Sequence, residues 1–113
     1  MAPAPQRLKR RADFLRVAAK GRRAPVHGLV LQALARADDG PARLGFTVTK
    51  KVGNAVVRNR TRRRLKEAAR LLFAGCPVSG HDIVLIGRDA TRGRDFADLV
   101  DDLRRALAKT GVQ

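Results

Sequence analysis

The chain has 113 residues, enough for one domain with a modest core, and its 44% hydrophobic content excludes an intrinsically disordered composition. Lys and Arg total 25 against 10 Asp and Glu, a formal net charge of +15, so a nucleic acid is the first partner to consider. No apolar run reaches the ~20 residues that span a bilayer, and the sequence does not open on a secretion signal. Its single cysteine, Cys76, cannot form an internal disulfide, so we expect a cytoplasmic protein.

The N-terminal part predicts a flexible segment followed by a short helix. Residues 1–7 are rich in Pro and Ala, and we expect them to be flexible. Residues 8–20 predict a helix that stops at Gly21. Its apolar face is expected to comprise Leu8, Leu15, Ala18 and Ala19.

Two alternating segments follow and predict a β-hairpin. Residues 29–36 and 43–49 have strand character, and residues 37–41 between them are strong turn formers. Residues 21–26 predict a short additional strand, which Pro25 restricts to a sheet edge.

The second half of the chain predicts a helix, a buried strand and a further helix. Asn54 is a good N-cap for a helix over 55–74, which Gly75 to Pro77 would end. Residues 82–88 are apolar on both faces, as in a buried strand, so a β-α-β unit is plausible.

The last predicted helix spans 94–109 and has one apolar face, and residues 110–113 are expected to be flexible. Phe96 on this helix and Phe73 on the preceding one are predicted to be core residues. Residues 8–109 then form one α+β domain, a small two-layer α-β sandwich of order α-β-β-β-α-β-α.

The helix over 55–74 carries an unusual concentration of cations. At ~100° per residue, its apolar residues form one narrow stripe and its basic residues a broad arc in which Glu67 is the only acid. The stripe comprises Val57, Thr61, Leu65, Ala68 and Leu72. Cations spaced four residues apart repel one another, which a bound polyanion would offset.

The start of this helix adds a second anion site. Lys50 and Lys51 precede a turn at Gly53, and the free N–H groups of the first helical turn favour a phosphate there. The triplet Arg58-Asn59-Arg60 follows, combining guanidiniums for phosphates with an amide that can read a base edge or a ribose hydroxyl.

The acidic residues and histidines do not predict catalysis. A metal-dependent nuclease needs several converging carboxylates, whereas the acids here are scattered, and His27 and His81 are isolated. We therefore predict no catalytic residue, no metal ligand and no cofactor bound by the protein alone.

The block "RLGFTVTKKVGNAVVRNRTRRRLKEAAR", residues 43–70, resembles the signature of the protein subunit of bacterial ribonuclease P. The flanking stretches "RLKRRADFLRV" and "DIVLIGR" agree, and the resemblance covers about 8–107. It implies a left-handed β-α-β crossover, binding to the catalytic RNA, and a cleft between the first helix and the sheet for the 5′ leader of precursor tRNA. It also implies that the RNA carries the Mg²⁺-dependent hydrolysis that removes this leader.

Charge pattern and resemblance together predict two sets of binding residues. The catalytic-RNA set comprises Lys50, Lys51, Asn54, Arg58, Asn59, Arg60, Arg62, Arg63 and Lys66. The precursor-tRNA leader set comprises Arg10, Arg11, Phe14, Phe46 and Arg70, although Phe46 could equally be core. Ala18 and Gln32 stand where the family often has aromatic residues, so leader binding here is expected to depend more on charge and arginine stacking.

Three other functions fit parts of the sequence. A small ribosomal-type structural RNA-binding protein is the main alternative, because many such chains are short, basic and α+β. A DNA-binding regulator would need a helix immediately before the basic helix, where a strand is predicted. A stand-alone nuclease lacks its acid cluster.

Overall fold

The computed structural model describes residues 4–75 and 78–112, in which a five-stranded sheet carries helices on both faces. The strands are β1 Gln6–Arg7, β2 Arg22–Pro25, β3 Leu29–Ala35, β4 Arg43–Thr47 and β5 His81–Gly87. The helices are α1 Arg11–Lys20, α2 Ala55–Gly75, α3 Asp89–Gly93 and α4 Phe96–Thr110. The α+β class is confirmed; β1 and α3 are elements that the sequence did not predict. Cys76 and Pro77 lie outside the described residues.

The sheet order is β1-β4-β5-β3-β2, so the predicted hairpin of β3 with β4 is wrong. Both segments are strands, but β5 lies between them, antiparallel to β3 and parallel to β4. β5 takes this central place because it is apolar on both faces: Ile83, Val84 and Leu85 are all buried. The predicted edge strand is confirmed as β2, which pairs only with β3 within the described sheet.

The predicted β-α-β unit is confirmed, because α2 connects the neighbouring parallel strands β4 and β5. The left-handed sense of this crossover stays a prediction of the resemblance. Asn54 caps α2 as predicted: its Oδ1 accepts a hydrogen bond from the N–H of Val57 at 3.0 Å.

The main core lies between the sheet and the pair α2 and α4. Leu65, Leu72 and Phe73 of α2 pack there with Leu99 and Leu103 of α4. Phe73 is therefore core, as predicted. Phe96 is not: it is the first residue of α4 and remains 37% exposed, because the buried face of the helix begins one turn later at Leu99.

The opposite face of the sheet is covered by α1 and carries a smaller core. Leu8, Val17 and Val84 are buried there, with Phe14 packed against them. The helix begins at Arg11 rather than at Leu8. Its predicted apolar face is wrong: Leu15, Ala18 and Ala19 are exposed, because α1 meets the sheet through Val17 and the neighbouring Asp13.

The flexible ends predicted from the sequence are too long. The N–H of Gln6 donates to the carbonyl of Ala42 at 2.7 Å, and Gln6 and Arg7 pair with β4. At the other end, Thr110 and Val112 are buried, so residues up to 112 belong to the domain.

No helix among the described residues is both long and apolar enough to cross a membrane.

Candidate nucleic-acid interface

Helix α2 is held on the sheet by one stripe, as its sequence predicts. The stripe is buried at Thr61, Leu65, Ala68 and Leu72. The buried Thr61 hydroxyl donates a hydrogen bond to the carbonyl of Val57 at 2.8 Å, so it is not left without a partner in the core. The cations of the helix lie on the two flanks of this stripe and on the outer face.

The turn before α2 presents two lysines beside the helix N-terminus. Lys50 and Lys51 are exposed in the turn closed by the bond from the Gly53 N–H to the Lys50 carbonyl at 3.2 Å. Gly53 is needed because a Cβ there would lie 2.7 Å from Cγ1 of Val57. An anion at this end of the helix would therefore meet the two lysines and the positive end of the helix dipole.

One flank of α2 faces the β4 edge. Arg62 donates to Oδ1 of Asn59 at 3.0 Å, and the Lys66 ammonium lies 6.0 Å from the centre of the Phe46 ring, at the limit of a cation–π contact. Phe46 packs against the core on this side. The structure thus brings Asn59, Arg62 and Lys66 of the predicted catalytic-RNA set together.

The other flank faces α3 and the start of α4. Arg60 and Arg63 are exposed there, while Arg64 donates to the carbonyl of Arg92 at 3.2 Å and to the carbonyl of Arg94. Arg64 was not predicted as a site residue. No sequence signal could identify this contact, since it depends on α3.

The cations of α2 are scarcely neutralised by the protein itself. Arg70 pairs with Glu67 at 2.5 Å, but within residues 4–75 and 78–112 Arg58, Arg60 and Arg63 form no ion pair with a carboxylate. Arg58 is half-buried, and its Nε has no hydrogen-bond partner among the described residues. The exposed positive surface that the sequence predicts is therefore present.

A second candidate surface lies on the opposite face, beside α1. Phe14 is half-buried with its ring over Gly45, where an added Cβ would lie 2.5 Å from Cε1 of the ring. Arg10 and Arg11 are exposed at the start of α1. Gln32 is half-buried and in register with Val84, so it faces the same side.

The predicted leader set is divided by the sheet. Arg10, Arg11 and Phe14 lie on the α1 face, whereas Phe46 and Arg70 lie on the side of α2. The structure therefore does not bring the five residues into one cleft, and leader binding by Phe46 and Arg70 stays a prediction. Phe46 cannot lie on the α1 face, because Gly45, its neighbour in β4, faces Phe14 there and neighbouring residues of a strand point to opposite faces.

A buried charge cluster fixes the strand ends near β1. Asp82 is buried and accepts hydrogen bonds from Arg43 at 2.6 and 2.7 Å and from Arg36 at 2.8 Å. Burial would raise the pKa of Asp82, but the hydrogen bonds and charges of Arg43 and Arg36 outweigh it, and the pKa lies below the usual carboxyl value. The charges of this cluster pair with one another, so the cluster stabilises the fold and does not bind a ligand.

Acidic and metal-binding side chains are dispersed. Among the described residues, no three His, Cys, Asp or Glu side chains come together in a way that could hold a metal ion.

Comparisons with known proteins agree on one family. Residues 2–111 match the family model described as Ribonuclease P. The ribonuclease P protein component of Gluconacetobacter diazotrophicus is 66% identical over 113 residues, covering 100% of this chain and 97% of that protein. The protein component of Paramagnetospirillum magneticum is 50% identical, with 99% and 87% coverage.

Solved structures show the same fold. The RNase P protein of Thermotoga maritima matches with a TM-score of 0.78 and 30% identity, covering 92% of this chain and 96% of that one. A Staphylococcus aureus RNase P protein mutant with defective mRNA degradation activity matches with a TM-score of 0.80 and 29% identity, with 95% and 89% coverage.

Proposed function

This chain belongs to the ribonuclease P protein family, whose members are protein components of an endoribonuclease that processes tRNA, and we propose that it binds the catalytic RNA of that enzyme through α2. We propose further that its α1 face holds the 5′ leader of precursor tRNA, so that the two RNAs contact opposite faces of one sheet.

The observation that carries this proposal is the uncompensated positive surface of α2. Arg58, Arg60 and Arg63 have no carboxylate partner among the described residues, and Lys50 and Lys51 add two charges at the helix N-terminus. Phosphate contacts from Lys and Arg supply most of the affinity in such complexes. The fork of the arginine guanidinium matches phosphate oxygens in pairs.

The α1 face supports leader binding in a different way. Phe14 offers a half-exposed ring, and Arg10 and Arg11 lie one turn before it. Ala18, one turn after Phe14, is small and exposed, and Gln32 is polar. A single strand here would stack on one aromatic ring and otherwise depend on charge, as the sequence predicts.

The hydrolysis itself is assigned to the RNA. In a protein, Mg²⁺ is held by carboxylates that lie close together. The described acids are either far from one another or, like Asp82, already paired with arginines. This chain therefore contributes binding and orientation to the proposed complex, and the Mg²⁺ ions that the reaction requires would lie on the RNA. A cytoplasmic location stays a prediction.

The experiment is a maturation assay with an end-labelled precursor tRNA. At a low Mg²⁺ concentration, where the catalytic RNA alone is slow, added protein should restore cleavage at the mature 5′ end. Protein with Mg²⁺ but without RNA should leave the precursor uncut, and robust cleavage would show that the acids have been misinterpreted. Tight binding to the catalytic RNA without any gain in maturation would favour the ribosomal-type alternative.

A further inference from the structure

A groove lies between helix α2 and the α3–α4 segment. Of its lining residues, the proposed function involves only Arg60 and Arg63. We call it the α2–α4 groove; its walls include Val57, Arg60, Arg64, Arg92 and Phe96. Its volume is about 1210 Å³, above the ~300–1,000 Å³ of typical small-molecule pockets. The groove is open along one side, so it suits a segment of a longer ligand.

One wall of the groove is a fixed guanidinium. Arg64 is held by hydrogen bonds to the carbonyls of Arg92 and Arg94, and its Nε is buried without a partner among the described residues. An arginine anchored in this way presents a planar cation in one orientation. Such a plane is a stacking surface for a nucleobase.

The lining of the groove also contains an aromatic residue that the core has not taken. Phe96 is 37% exposed, although Leu99, Val100 and Leu103 of the same helix are buried. The start of α4 is held in place, since Asp95 caps it by accepting from the N–H of Ala97 at 2.9 Å. The ring of Phe96 is thus positioned by a capped helix and remains accessible from the groove.

The charge of the groove is positive where a ligand would enter. Arg60 and Arg63 form no ion pair with any described carboxylate. Five arginines line the groove against three acids, Glu67, Asp89 and Asp95, so the lining keeps a positive balance. Glu67 pairs with Arg70 at 2.5 Å, Asp89 pairs with Arg92 at 3.5 Å, and Asp95 caps α4. An anionic ligand with a flat apolar part fits this arrangement.

We propose that the α2–α4 groove receives an unpaired nucleotide of the catalytic RNA. Its base stacks on Phe96 beside the Arg64 guanidinium, and its flanking phosphates contact Arg60 and Arg63. Unpaired bases bind proteins by such stacking, whereas a paired base is not free to enter a groove of this shape. This inference rests on the proposed function, and it adds a stacked base to a surface whose other expected contacts are hydrogen bonds and ion pairs.

The first test measures catalytic-RNA binding by Phe96→Leu and Phe96→Tyr proteins. Leucine keeps apolar packing but has no flat face, so its Kd should rise about tenfold, while tyrosine should bind within twofold of the unchanged protein. The salt dependence of binding should be the same for all three, because no phosphate contact is removed. Equal Kd values for all three folded proteins would overturn the groove proposal.

The second test places p-benzoylphenylalanine at position 96 and maps its photo-cross-link on the catalytic RNA. A cross-link confined to an unpaired nucleotide supports the proposal, and one confined to paired nucleotides, or none, rejects it. The same group in place of Leu15, exposed on α1 on the other face, is the matched control and should not give that cross-link. If the unchanged protein fails to bind the RNA, both the proposed function and the groove fail; if it binds and supports maturation while position 96 has no effect, only the groove fails.

Discussion

Replacing Arg60 and Arg63 together by alanine should separate RNA binding from folding. Both side chains are exposed, and neither has a carboxylate partner among the described residues. The matched control replaces Arg104 and Arg105 of α4, which are exposed and pair with Asp101 at 3.1 and 3.0 Å. Each double variant lowers the formal net charge of +15 by two, so a purely long-range effect of charge would act equally on both.

The magnitude follows from counting phosphate contacts. Each lost contact reduces the slope of log K against log salt by about 0.7–0.9, so two lost contacts reduce it by about 1.4–1.8. The control should leave the slope within error of the unchanged protein. Neither variant should lose more than about 1 kcal/mol in its free energy of unfolding, because exposed cations and exposed ion pairs contribute little.

The assay is filter binding of the catalytic RNA at four or more salt concentrations, with urea unfolding of each protein alongside. A smaller slope for the α2 variant only is the expected result. Equal slopes for the two double variants would refute the assignment of phosphate contacts to α2, because only the summed charge would then matter.

Three further predictions concern the rest of the domain. Asp82→Asn should lower the free energy of unfolding by about 3 kcal/mol, measured with urea, because it removes the buried negative charge that pairs with Arg36 and Arg43. Since the folded pKa of Asp82 is depressed, the unchanged protein should lose that stability as the pH falls below about 4, and the variant should lose less. Gly45→Ala should displace the Phe14 ring, which an added Cβ would approach to 2.5 Å, so binding of precursor tRNA should weaken while binding of the catalytic RNA is unchanged. Gln32→Phe should strengthen leader binding about fivefold or more, measured as the ratio of affinities for precursor and mature tRNA; an unchanged ratio would remove Gln32 from the cleft.

Local signals were sufficient for α2. Its predicted span of 55–74 compares with Ala55–Gly75 in the structure, and Asn54 caps it as predicted. A capping side chain, a glycine turn and a periodic apolar stripe all act within a few residues of one another. For the same reason the exposed cations of this helix could be predicted before any tertiary contact was known.

Strand pairing could not be predicted in the same way. The turn residues 37–41 favour a hairpin between β3 and β4, but β5, distant in sequence, takes the place between them. The local sequence predicts a turn, but which strand pairs with β3 depends on which strand best fills the centre of the sheet. A strand apolar on both faces, such as residues 82–88, was the available signal for that central place.

The division of the leader set had a signal that the sequence interpretation did not use. Phe46 shares its strand face with Leu44, which is core, while Gly45 faces the other side. The period of two in β4 therefore already separated Phe46 from Phe14. The α2–α4 groove had no such signal, because its shape depends on the contact of Arg64 with α3, an element that the sequence did not predict.

The stability of α2 and its charge come from different sides of the helix. Leu65, Leu72 and Phe73 are almost fully buried, and each contributes about 1.5–3 kcal/mol by leaving water. Repulsion between cations four residues apart, such as Arg58 and Arg62, costs only about 0.2–0.5 kcal/mol per pair. The sheet contact therefore outweighs the repulsion several-fold, so the helix can carry cations such as Arg58, Arg60 and Arg63, which no carboxylate of the described residues neutralises. A protein selected for stability alone would have no reason to keep them, since removing them relieves repulsion without loss of core. A polyanion bound to this surface, as proposed above, would account for them.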